Sequence, residues 1–190
     1  MAYAPITAKV AGDVLTAAYI NTYYKGNIEH LLNGKQVQKL RYTKTSNYTT
    51  TSTSWSDVDA TNLKLTLTSN FITGRCKFEA TFWASLTFSG GSAPYTIFFD
   101  LYDATDSKYI SSGTSTPLTG GMVSWGLGAG QKVLFGSLNS PNWTVLSGEL
   151  TGMTAGTHDI KLRWKLDNAS ATGTIYADVN PQVYMSATEF

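Results

Sequence analysis

From Leu63 to Leu166 large apolar side chains return again and again at every second position, and that alternation is the strongest constraint on this chain. Leu63, Leu65 and Leu67 alternate with Lys64, Thr66 and Thr68. Cys76, Phe78, Ala80, Phe82, Ala84, Leu86 and Phe88 form a longer series, and His158, Ile160, Leu162, Trp164 and Leu166 alternate with Asp159, Lys161, Arg163 and Lys165. A side chain period of two belongs to strands whose faces differ in environment. Tyr95 to Tyr102 is nearly continuous in large residues, the pattern of a strand covered on both faces by a second sheet or a neighbouring subunit. Shorter strands are expected over Trp55 to Ala60, Lys132 to Phe135, Thr144 to Leu150, Gly173 to Ala177 and Gln182 to Ala187, which brings the total to about eight or nine. Ser89-Gly90-Gly91, Thr119-Gly120-Gly121, Thr154-Ala155-Gly156 and Asn180-Pro181 separate them as turns. The expected fold is mainly β: an antiparallel sandwich, jelly-roll-like, of about eight strands over residues 40–190. Parallel α/β folds are excluded because no helical pattern lies between the strands.

One segment departs from this period. Between Thr16 and Asn33, Ile20, Tyr24, Ile28, Leu31 and Leu32 recur at spacings of three and four, which predicts a short amphipathic helix over about 16–33. Thr16 is a suitable N-cap and Asn33-Gly34 a left-handed stop. Gly26 costs about 1 kcal/mol relative to alanine in a helix interior, so the helix needs something to lie against. The polar stretch Lys35 to Thr53 reads as a connector holding this helix away from the sandwich. Residues 1–39 are therefore expected to form an arm whose stripe, Ile20, Tyr24, Ile28 and Leu31, is covered by symmetry mates or by a larger structure. Three such helices around an axis would bury the stripe. A helix folded back on its own sheet is the alternative.

Composition narrows the function classes. Charged residues are only 14% of the chain and the formal net charge is +1, too little to hold nucleic acid by counterion release. No apolar run reaches the length of a membrane span, and Met1 to Val10 lacks a basic region followed by an apolar stretch. The expectation is a chain made and folded in the cytoplasm, without secretion or membrane insertion. Cys76 is the single cysteine, which excludes an internal disulfide framework.

Catalytic patterns are weak. The histidines are His30 and His158; His158 sits at an inward strand position and reads as a satisfied core or interface residue rather than a triad base. Apart from Asp57/Asp59 and the run Asp100-x-x-Asp103-x-x-Asp106, the acids are scattered, and no facing pair of carboxylates is evident for a glycosidase. The Asp100, Asp103, Asp106 run lacks the spacing of a calcium loop and is expected to be a solvated strand end. Gly126 to Lys132 lacks the Lys-Ser/Thr pair of a phosphate loop. No catalytic residue, cofactor or metal is assigned.

Aromatics carry more information. They make up 13% of the chain, more than a small sandwich core usually holds, so some rings are expected to meet a partner. Phe82, Trp83, Phe98 and Phe99 are placed in the core or a subunit interface. Ser111 to Gln131 is expected to be a long loop with Met122, Val123 and Trp125 as apolar cargo. Trp125 and Trp143, both beside Gly, Ser, Asn and Pro, are assigned to loops where an exposed ring could stack on a sugar or seat in a protein pocket.

The segment Ala11-Gly-Asp-Val-Leu-Thr-Ala-Ala-Tyr-Ile-Asn-Thr-Tyr-Tyr-Lys-Gly-Asn-Ile-Glu-His-Leu-Leu-Asn-Gly34 resembles the attachment segment near the start of many tailed-bacteriophage virion proteins. Those read Gly-Glu-Val-Leu-Thr-Ala-Ala, an acid, and a helix ending in Leu-Leu-Asn-Gly. Thr51 to Thr68, with its core Ser54-Trp-Ser-Asp-Val-Asp-Ala-Thr-Asn-Leu63, resembles the opening of the β domain that follows there, and Leu150 to Trp164 and Asn180-Pro-Gln182 resemble its closing strands. Tyr19 stands where the family commonly has an acid, and Lys25-Gly26 where Arg-Asp is usual. The resemblance implies a non-enzymatic virion structural protein with a jelly-roll head, of the tail fibre, head fibre or spike type. Its implied partners are itself, as a homotrimer, other virion proteins through the arm, and a host-surface glycan or protein. Alternatives are a purely structural decoration or stabilising component and, less favoured, an enzyme degrading host polysaccharide.

Overall fold

The computed structural model describes residues 37–42, 46–69, 74–88, 95–127, 141–178 and 183–189. The expected helix over 16–33, with Ile20, Tyr24, Ile28 and Leu31, lies outside the described residues, as does the strand expected over Lys132 to Phe135. What is described is β throughout, with no helix among these residues. In chain order the strands are β1 (Val37–Tyr42), β2 (Tyr48–Thr50), β3 (Ser56–Asp57), β4 (Lys64–Ser69), β5 (Arg75–Phe88) and β6 (Tyr95–Asp103). They continue as β7 (Lys108–Tyr109), β8 (Val123–Leu127), β9 (Asn142–Thr151), β10 (Gly156–Leu166), β11 (Ala171–Tyr176) and β12 (Val183–Glu189).

These twelve segments occupy eight lanes, four of them shared by two collinear strands. β12 and β11 run end to end along one side of β5, and β1 and β2 run along their far side. β4 and β3 share one side of β10, and β8 and β7 share one side of β6. One sheet is therefore β1/β2, β12/β11, β5, β9; the other is β4/β3, β10, β6, β8/β7. Every pairing is antiparallel, and the pairs are nested. The first lane pairs the last, the second pairs β10, β5 pairs β9, and β6 pairs its own successor.

The alternating residues fill the space between the sheets. Leu65, Leu67, Phe78, Phe82, Leu86, Ile97, Phe99, Leu101, Leu146, Ile160, Leu162, Trp164 and Leu166 are all buried, each contributing on the order of 1.5–3 kcal/mol by leaving water. Phe82 of one sheet meets Phe99 of the other edge-on at 4.9 Å between ring centroids. A one-residue slip of any ladder would turn such residues outward, so the pattern that specifies the strands also specifies their register.

Three expectations change. The stretch Lys35 to Thr53 is not a free connector, because β1 and β2 lie within it. Leu40 and Tyr42 are half-buried against the core and Tyr48 is buried. Without these strands β12 and β11 would present a bare hydrogen-bonding edge, which outweighs the segment's polar composition. Ser111 to Gln131 is not loop throughout, since Val123–Leu127 pairs with β6 as β8. Finally, Asp100 and Asp103 are not solvated: both are fully buried. The near-continuous strand β6 is covered on both faces, but by its own chain. Its outward Phe98 and Tyr102 lie under Lys165 and Arg163, at 4.9 and 4.7 Å from the ring centroids.

Candidate binding surface

Because Thr144 and Leu146 point into the sandwich, their neighbours Trp143 and Val145 must point out. Across the β5–β9 ladder Trp143 stands opposite Trp83, and across the β5–β11 ladder Trp83 stands opposite Tyr176. Three aromatic rings thus form a row on the outer face of this sheet. Trp83 and Trp143 meet at 5.5 Å and 60°, an edge-to-face contact worth about 0.5–1.5 kcal/mol beyond its burial. The row remains open to solvent: Trp83 is 36%, Trp143 51% and Val145 48% exposed. Tyr176 is steadied by a 3.0 Å hydrogen bond between its hydroxyl and that of buried Ser85.

The same face changes character toward the other end of β5. There Arg75 pairs with Glu149 and Lys77 with Glu79, each at 2.6 Å. β1 enters at that charged end: Val37 stands opposite Thr188, which in turn stands opposite Lys77. The aromatic row lies six residues farther along β5, roughly 20 Å away at 3.3 Å per residue.

Around the edge, between β8 and β9, runs a groove of about 410 Å³ lined by Val123, Trp125, Gly126, Asn142, Trp143, Thr144 and Val145. Trp125 stands opposite Ile97, which faces the core, so its ring turns inward and lies 6.4 Å from Phe99. Its indole Nε1 is buried without a hydrogen-bond partner among the described residues, a cost of about 1–3 kcal/mol for a donor taken out of water. Gly126 has φ +151°, and a Cβ there would come within 2.0 Å of the Tyr95 carbonyl oxygen. Only glycine lets β8 lie this close to β6.

The two tryptophans expected in loops therefore stand on strands, one turned out and one turned in, and they share this groove. Of the aromatics assigned to core or interface, Phe82 and Phe99 are core, whereas Trp83 faces water. Val145 was missed, although period two counted from Leu146 places it outside.

The outer face of the other sheet is built differently. Arg163 lies over the rings of Tyr102 and Tyr109, at 4.7 and 5.3 Å. It donates to the Tyr109 hydroxyl and to the Trp55 carbonyl, and its Nε is 3.1 Å from Asp57 Oδ1. Lys161 binds the other oxygen of Asp57 at 3.0 Å, and Lys64 binds Asp159 at 2.9 Å. Beneath them Asp100 accepts hydrogen bonds from the Leu101 N–H and from the N–H and hydroxyl of Ser111. Burial nevertheless pushes its carboxyl up to about 6. His158, buried as expected, has Nδ1 2.6 Å from Asp103 Oδ2 and Nε2 3.0 Å from the Thr154 carbonyl.

No protein-family model matches the chain, and no curated protein matches it. Among solved structures, a chain of T=1 particles derived from infectious bursal virus aligns at a TM-score of 0.39 and 8% identity. That alignment covers 83% of this chain and 36% of the viral one.

Proposed function

We propose that this protein is a structural component of a tailed-phage virion, a homotrimeric fibre, spike or knob that mediates adhesion to a host surface. The residues before β1, within the arm expected over 1–39, dock on the particle through Ile20, Tyr24, Ile28 and Leu31. The β domain projects outward, and Trp143 with Trp125 contacts the host. The observation that carries the reading is the Ala11–Gly34 segment, with its phage-type attachment pattern, leading into a sandwich that the arm enters at one end while the tryptophans lie toward the other. Nested antiparallel lanes split between two sheets are the plan of a jelly roll, an architecture that viral capsid domains share with lectins. The open aromatic row and groove suit a sugar face or an apolar protein contact better than an anionic partner.

Purified full-length protein, incubated with host cells and sedimented, tests this. Adhesion requires co-sedimentation that Trp143→Ala removes. If the protein associates tightly with particles and binds no cells, it is a decoration component. Turnover of a host polysaccharide would overturn both readings.

A further inference from the structure

At the end of β6 away from the groove, the turn that follows brings Asp103, Asp106 and His158 together, although 52 positions separate Asp106 from His158 in the sequence. One ligand atom from each lies within 4.8 Å of the others. Backbone groups aim two of them. Asp103 Oδ1 accepts from the N–H groups of Thr105 and Asp106, at 2.9 and 3.2 Å, which leaves Oδ2 facing His158. The Thr154 carbonyl, 3.0 Å from His158 Nε2, can only accept, so Nε2 carries its hydrogen. With the hydrogen on Nε2, Nδ1 is the ring nitrogen that faces Asp103 Oδ2, at 2.6 Å. A nitrogen and a carboxylate oxygen at this distance share a cation between them, either a proton or a metal ion.

We propose that Asp103, Asp106 and His158 form a binding site for a divalent transition metal of the zinc class. One imidazole nitrogen and two carboxylates suit Zn²⁺, which takes three protein ligands and leaves a fourth tetrahedral position for water. Calcium and magnesium prefer oxygen alone. The backbone carbonyl on the far nitrogen of the imidazole is the usual orienting partner of a metal-bound histidine. Tetrahedral bonds of about 2.0–2.1 Å set ligand atoms roughly 3.3 Å apart, so the His158–Asp103 contact opens by about 0.7 Å and Asp106 closes in. Asp106 supplies the mobility. Its side chain is 14% exposed, against 0% for Asp103 and 1% for His158, and it now takes a 3.3 Å bond from the Thr154 hydroxyl and a 3.4 Å contact from Lys108. Exposed Thr154 beside it marks the route in.

The test uses the full chain, stripped with chelator and titrated with ZnCl₂ by calorimetry. Saturable binding of one Zn²⁺ per chain is expected, together with a higher Tm and, for Co²⁺, the visible bands of a tetrahedral site. Asp106→Asn keeps the buried Asp103–His158 pair and should fold like the parent, yet weaken Zn²⁺ binding by about tenfold or more. Absence of heat and of Co²⁺ bands from the folded parent, affinity unchanged in Asp106→Asn, or preferential binding of Ca²⁺ would each overturn the assignment.

Discussion

The two outer faces of the sandwich carry aromatic side chains in comparable numbers but treat them in opposite ways. Over β6 and β10, Phe98, Tyr102 and Tyr109 lie beneath Lys165 and Arg163, whose charges are held by Asp57 or spread over the rings. Over β5 and β9, Trp83 and Trp143 touch each other and water, and the charged pairs sit at the far end of the face. The first face is finished by its own chain. The second leaves its rings open, and the proposed host contact rests on that difference. The difference teaches that aromatic content alone does not decide exposure; what decides it is whether neighbouring long side chains cover the rings.

The largest expected effect falls on the finished face. Arg163→Ala removes the stacking on two tyrosines and strands the Trp55 carbonyl, and urea unfolding should show a loss of about 2–4 kcal/mol. A loss below about 1 kcal/mol would mean that the network is decoration and the contrast between the faces is false.

A pH titration of stability sharpens the same contrast. The folded Asp100 carboxyl, raised by burial to about 6 from 3.8, binds its proton more tightly than the unfolded chain does. Its contribution is therefore full below pH 3.8 and is lost as pH rises through 6, by an amount on the order of 2–3 kcal/mol. Asp59 has the opposite sign. Burial presses it upward, but hydrogen bonds from Asn62, Tyr48 and Thr61 outweigh this and hold it at about 2, so its contribution is present above 3.8 and fades as pH falls toward 2. Stability measured by denaturant from pH 2 to 7 should peak between these limits, and Asp100→Asn should flatten the neutral side. An unchanged slope in that variant would remove Asp100 as the cause.

The smallest stability effects belong to the open face. Trp143→Ala should cost about 1 kcal/mol, because its ring is half exposed and loses mainly one edge-to-face contact, whereas Trp83→Ala should cost about 2 kcal/mol, its less exposed ring standing between Trp143 and Tyr176. Arg75→Ala should leave Tm unchanged, since exposed ion pairs are nearly neutral. A loss well above about 2 kcal/mol in Trp143→Ala would show that this ring supports the fold rather than a partner.

Much of the sandwich was legible because alternation and burial obey one geometry: from Leu65 to Leu67 and from Ile160 to Leu166, the apolar residues are those that face in. β1 and β2 were not, because Gln38, Lys39, Thr49 and Thr50 carry little apolar signal and are recruited by the edges of β12 and β11. β8 was hidden by Gly126, which weakens a strand pattern while making the close approach to β6 possible. Trp143 was picked out as an exposed ring, but the inward turn of Trp125 follows from pairing with Ile97, a long-range fact. The Asp103–His158 contact was likewise beyond the spacing of the acids, which read as a solvated strand end. Folding sends Asp100 to the opposite side of β6 and brings His158, 55 positions away, against Asp103.

The six-pair ladder between β1 and β12 has a mechanical consequence. If the sandwich is tethered through Val37 and held at Trp143, tension runs along β1 toward one pole while β12 is anchored from the other. The bonds of that ladder are then loaded together in shear instead of being unzipped one at a time. A pull between residues 37 and 143 in a single-molecule experiment should accordingly meet a higher rupture force than a pull that peels β1 away from its Tyr42 end.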